Sequence, residues 1–143
     1  MPPDPALVEE ARAWLVKAAG DLRAARLALD ADPPLLDHAV FDAQQAAEKS
    51  IKGFLVWHGE IFGKTHVIEK IGEQALGIDK SLGPLIDSAA PLSEYAWRFR
   101  YPGDPETPSR SEAEGALEIA RDLHEAVITR LPSEVRPDSS ELL

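Results

Sequence analysis

The chain has 143 residues, no cysteine and a formal net charge of −10. That length makes one domain able to bury a core without covalent staples, and the absent thiols exclude cysteine nucleophiles, thiolate metal sites and a disulfide framework. The acidic balance argues against a protein that coats duplex nucleic acid, because such affinity comes from Lys and Arg neutralising phosphates; yet residues 98–110 hold three arginines against two acids while 111–143 hold eight acids against three arginines, so a local basic surface remains.

Alanine, leucine, glutamate and arginine dominate, and apolar residues recur at the helical period, which predicts an all-α fold. Asp4 followed by Pro5 has the form of an N-cap with proline at the first helical position. Helix one then carries Ala11, Trp14, Leu15, Ala18, Leu22, Ala25 and Leu29 at steps of three or four, and should stop in the breaker cluster Asp30–Pro34. The next helix, Ala39–Val56, is the most apolar and runs to about His58–Gly59, where Gly59 suits a left-handed C-cap. Gln44, Gln45, Glu48 and Lys49 lie inside its apolar stripe. An unpaired amide or charge in a core costs on the order of 1–3 kcal/mol or more, so these four either pair across an interface or line a site.

His66–Leu76 reads as a weaker amphipathic helix, capped by Thr65 and ended by Gly77. Gly83–Pro84 and Pro91 predict a broken helix or two short ones, with Leu92, Tyr95, Ala96 and Phe99 as an apolar face, and Tyr101–Ser109 reads as a loop. Ser111 and Glu114 have the spacing of a capping box for a last long helix through Ala113, Leu117, Ala120, Leu123, Val127 and Leu131, which Pro132 closes. Residues 133–143 are polar, acidic and proline-interrupted, the composition of a disordered tail. The expected architecture is a four- to five-helix up-down bundle over residues 1–132 with a disordered acidic tail after it. With no basic-then-apolar leader and no run near the roughly 20 apolar residues of a spanning helix, a soluble cytoplasmic protein away from membranes is expected.

Three stretches occur in a meaningful order: AWLVKAAGDLRAARLAL, then AVFDAQQAAEKSIKGFLVWHG followed by KTHVIEKI, then YAWRFRYPG. Together, over residues 7–131, they resemble the HEPN domain, the higher eukaryotes and prokaryotes nucleotide-binding family. The resemblance implies a four- or five-helix up-down bundle, a homodimer built largely on the long helices, and association with a nucleotide or single-stranded RNA. Many prokaryotic members are encoded beside a minimal nucleotidyltransferase and act with it as a toxin–antitoxin pair. Ribonuclease members carry an Arg, four to six residues, then a His. No Arg precedes His38, His58, His66 or His124 at that spacing; Arg100-Tyr101-Pro102-Gly103 instead resembles RYP-type members that lack the His.

Arg100 is the leading candidate for phosphate, a planar guanidinium at a helix end, with Tyr101 able to stack a base and Arg98 adding charge. The structural alternative pairs these arginines with helix carbonyls or Glu48. Lys49 and Lys52 are further nucleotide- or RNA-binding candidates, against an ordinary i,i+4 pair for Glu48 and Lys52. Lys64 and His66 sit at a helix start that attracts anions, against a buried His66 bonded to a carbonyl or to Glu48. Gln44, Gln45 and Glu48 would form the shared wall of an intermolecular cleft. If the chain is an enzyme it is a metal-independent endoribonuclease in which Arg100 stabilises the phosphorane and His66 takes the 2′-hydroxyl proton; the third reading is a non-catalytic protein-interaction module. No cofactor is expected and no metal, since His38 and Asp42, spaced i,i+4, have no second His–carboxylate pair. Trp14, Trp57, Trp97, Phe41, Phe54 and Tyr95 are expected in the core or dimer interface, with Trp57 and Trp97 also able to serve as exposed stacking platforms.

Overall fold

The computed structural model describes residues 3–103 and 106–141. Asp104 and Pro105 of the expected loop and the last two residues of the expected tail lie outside them. Five α-helices form the bundle: α1 (Pro5–Asp30), α2 (Leu36–Trp57), α3 (Ile68–Ile78), α4 (Gly83–Ala89) and α5 (Arg110–Thr129), with no strand among the described residues. The all-α up-down arrangement is as the periodicity predicts.

Asp4 caps α1 by accepting from the Ala6 amide at 3.0 Å, and Pro5 occupies the position where a missing N–H costs nothing. A short turn returns the chain, held by the Leu35 amide donating to the Ala28 carbonyl at 2.8 Å. From there α2 runs antiparallel to α1, as the contacts Asp21–Lys49 and Leu15–Gly53 require. α5 is antiparallel to α1 in turn. Arg110 reaches the Leu29 carbonyl at one end and buried His124 the Leu15 carbonyl at the other, 3.1 and 3.2 Å. Burial lowers the His124 pKa, so the ring stays neutral and donates through Nε2–H. α2 is the hub, burying Val40, Ala43, Ala47, Ile51, Phe54 and Leu55 against α1, α5 and the shorter helices. Its C-terminus is closed by Gly59 at φ +74°, as the sequence suggests.

Several local expectations change, one being that α3 runs through Gly77 to Ile78 instead of ending at that glycine. α3 begins at Ile68, not His66, and Thr65 is not its cap: the Thr65 hydroxyl accepts from the Val67 amide, while the Ile68 amide is satisfied by Ser93 Oγ at 2.9 Å from the turn Ala90–Ala96. α5 is capped by Ser109, which accepts from the Glu112 amide at 3.0 Å, two residues before the expected box. Glu112 then does not close a box but accepts from the Tyr95 hydroxyl, joining that turn to α5. Residues 133–141, expected to be disordered, return to α1: Val135 is fully buried, and Arg12 pairs with Asp138 at 3.1 Å and Glu141 at 2.6 Å. Composition undervalues a segment in which one buried valine and two acids meet a single waiting arginine.

Candidate functional site

The polar residues inside the α2 stripe converge on Glu48, whose side chain is only 4 % exposed. One carboxylate oxygen accepts from Lys52 Nζ at 3.0 Å; the other accepts from Gln44 Nε2 at 3.0 Å and His66 Nδ1 at 2.8 Å. Gln44 also reaches the His66 carbonyl, and its own oxygen accepts from Gln45 Nε2 at 2.7 Å. Desolvating a carboxylate is tolerable only with such a complement of donors. The buried polar atoms of the wall formed by Gln44, Gln45 and Glu48 thus find their partners within one chain.

Two lysines expected at a ligand are engaged elsewhere. Lys52 is buried, with its ammonium 5.6 Å from the ring centres of both Trp14 and Phe62, so Glu48 and two aromatic faces hold the charge inside. Lys49 pairs with Asp21 of α1 at 2.7 Å, both half-buried. Lys64 is exposed. His66 makes the expected contact with Glu48 but is not buried: its side chain is 64 % exposed, so the Glu48 carboxylate holds one ring nitrogen while the other faces outward.

Farther along the same side of α2, Arg100 lies with its guanidinium carbon 4.1 Å from the centre of the Phe41 ring and 6.0 Å from that of Tyr101, and donates to the Ala96 carbonyl at 2.9 Å. Tyr101 is exposed beside it and Trp97 is exposed too, whereas Trp57 is half-buried. Arg98, expected to add free charge, is instead clamped by Glu94 at 3.0 Å and Glu106 at 2.7 Å. Between the two arginines Phe99 takes φ +67°, a left-handed conformation that a bulky residue adopts at a cost on the order of 1 kcal/mol or more. Burial of its ring beside Tyr95 holds that backbone in place and sends Arg98 and Arg100 to different neighbours. Neither Phe41 as a guanidinium platform nor Phe99 as a strained hinge stood out in the sequence. Only the seven-residue spacing from Phe41 to Glu48 hints at a shared helical face.

His38 and Asp42 do not assemble a metal site; among the described residues no group of three or more potential ligands does. Asp42 has its carboxyl pushed up to about 6, first by burial, then by repulsion from Asp21, with His38 and Lys49 pulling the other way. An acid whose folded pKa lies above its unfolded value is destabilising when ionised, so this group's contribution improves as pH falls through about 6. Asp42→Asn is therefore expected to stabilise the fold at pH 7, with the gain shrinking as pH approaches the unfolded value of 3.8; urea unfolding of both proteins across that range measures it.

No helix among the described residues is long and apolar enough to cross a membrane. Comparison with curated proteins and with solved structures finds no match. A family model described as the HEPN domain matches residues 11–131, a span that runs from within α1 to the end of α5 and takes in the Glu48 network and the Arg100 turn. By that match over most of its length, the chain belongs to the HEPN domain family.

Proposed function

We propose that this HEPN protein binds a nucleotide or single-stranded RNA along the open side of α2, in a cleft that a second copy completes, and works with a minimal nucleotidyltransferase in a toxin–antitoxin pair. The observation that carries the binding reading is the Arg100 guanidinium, fixed by the Ala96 carbonyl and the Phe41 face, with the exposed ring of Tyr101 6.0 Å away. A planar cation held on one edge has donors left for a phosphate, and exposed aromatic faces stack bases irrespective of sequence. On a chain of net charge −10 such a patch attracts one phosphate group rather than a long backbone.

Titration with ATP, GTP and short single-stranded RNA tests this. Arg100→Ala is expected to weaken binding roughly 10- to 100-fold, the loss of a charge-assisted hydrogen bond. No binding by the unmodified protein, or binding indifferent to Arg100, overturns the reading and leaves the protein-interaction module standing.

The Glu48–His66 contact favours a second reading, a metal-independent endoribonuclease. A carboxylate that accepts a hydrogen bond from Nδ1–H leaves Nε2 able to take the 2′-hydroxyl proton as that oxygen attacks phosphorus, and to return it to the departing 5′-oxygen, with Arg100 offsetting charge on phosphorus. It requires RNA cleavage that both His66→Ala and Arg100→Ala abolish; an inactive unmodified protein rules it out.

A further inference from the structure

Where α1 begins and α2 ends, the surface carries an apolar groove set apart from the Arg100 patch, since Phe41 and Val56 lie roughly 22 Å apart along α2. The groove holds about 430 Å³ and is floored by Leu7 and Trp14 of α1, Val56 of α2 and Phe62 of the loop that follows. Val56 is buried and the other three are half-buried. Ile61 stands at its edge 91 % exposed, more than any other large apolar side chain among the described residues. A lone exposed isoleucine needs no explanation, but one continuous with an apolar groove marks a surface for contact. Its exposure is held in place. The Glu60 amide donates to the Leu55 carbonyl at 2.9 Å, Gln74 Nε2 donates to the Ile61 carbonyl at 2.8 Å, and the Phe62 and Trp14 rings meet edge to face with centroids 6.0 Å apart. The loop is thus pinned around Ile61, and only that side chain is left outside.

The charges around the groove decide what can fill it. Glu10 and Glu60 line it, no Lys or Arg does, and neither carboxylate has an ion-pair partner among the described residues. Such a rim repels the phosphates of nucleic acid and of anionic lipid. A second copy of the chain, at net charge −10, would set its own excess of acids against Glu10 and Glu60. The complement is a segment of another protein with apolar side chains along one side and Lys or Arg flanking them. The described residues offer no strand edge for an extended chain to join, so a helix laid in the groove is the mode that fits.

We propose that this groove docks a basic amphipathic helix of a partner protein, with apolar side chains seated between Ile61 and the Trp14–Phe62 pair and cations beside Glu10 and Glu60. The inference stands apart from the nucleotide reading and does not rest on it. A fluorescently labelled peptide with leucines on one helical face and lysines on the other is titrated into the full chain by anisotropy, and methyl NMR spectra locate it. Binding is expected to shift the Leu7, Val56 and Ile61 methyl resonances and to weaken as salt is raised. Ile61→Asp, at a position too exposed to disturb the core, is expected to weaken it about 10-fold or more, as loss of an apolar anchor does. Because this variant adds negative charge, a peptide held only by the chain's net charge binds it more tightly, and that result overturns the proposal. Glu10→Gln combined with Glu60→Gln is expected to weaken binding about 2- to 10-fold and to flatten its salt dependence.

No binding of the leucine–lysine peptide, or shifts confined to other surfaces, overturns the proposal. So does equal binding of a counterpart with glutamate in place of each lysine, which removes the charge argument. Self-association in sedimentation that Ile61→Asp abolishes would identify the occupant as a second copy, and binding to phosphatidylserine vesicles lost in the same variant would identify it as a lipid surface; either result overturns the partner proposed.

Discussion

Replacing Glu48 by alanine is expected to lower the unfolding free energy by about 3–5 kcal/mol, because it strands the Lys52 ammonium in a core position without its counter-ion. Lys52 is 6 % exposed and Glu48 3 %. In a domain near this size each kcal/mol moves the melting temperature by about 2–4 °C, so a fall of roughly 6–20 °C is the expected reading. The Trp14 and Phe62 faces offset only part of the loss, since cation–π contacts contribute on the order of 0.5–2 kcal/mol. Removing both charges reverses the outcome: Glu48→Met with Lys52→Met restores most of the stability, because an apolar pair of similar volume avoids the desolvation cost of the ion pair. The doubly substituted protein then folds with no carboxylate to orient His66, so it separates the network's contribution to folding from its contribution to recognition. Thermal and urea unfolding of the three proteins measures this. A single substitution as stable as the parent would show that the ammonium escapes to solvent and that the network is ornamental to the fold.

The same residues show where reading from sequence succeeds and where it stops. That Gln44, Gln45, Glu48 and Lys49 demand partners follows from their place in an apolar stripe, and the Glu48–Lys52 spacing supplies one of them. Which groups end outside does not follow. Lys49 and Lys52 are cations on the correct helix, yet Asp21 and the Trp14–Phe62 pair capture them, and both lie on other segments that periodicity along α2 cannot place. For His66 the partner was legible and the exposure was not, because a contact with Glu48 is compatible with a ring on either side of the carboxylate. The α5 cap failed for a local reason. Ser109–Glu112 and Ser111–Glu114 both satisfy the same spacing rule, and the choice falls to Tyr95, which needs Glu112 for its hydroxyl. Phe99 had no signal at all, since a positive φ at a phenylalanine is imposed by tertiary packing, with no glycine or asparagine to announce it.

Gly53→Val is expected to destabilise by about 2–3 kcal/mol, the upper range for added bulk in a packed core, although valine is the better helix former by a few tenths of a kcal/mol. At this point α1 and α2 touch. A Cβ on residue 53 lands 2.9 Å from Leu15 Cδ2, 3.0 Å from Leu15 Cγ and 3.2 Å from Trp14 Cβ. Leu15 is fully buried and has nowhere to turn, and Trp14 Cβ moves only with the α1 backbone, so relief requires the helices to part. Gly20 and Gly115, also inside helices but with open space around the position of a Cβ, are the controls: alanine at either is expected to stabilise by about 0.5–1 kcal/mol. The contrast separates a packing requirement from propensity, and a valine at 53 that leaves the urea midpoint unchanged would mean the two helices are not in this close approach. The consequence reaches the site, because Trp14 also covers Lys52. Parting α1 from α2 loosens the ammonium from its aromatic cover and, through Glu48, the imidazole of His66. Gly53 is thus required at the helix contact that also keeps Lys52 covered.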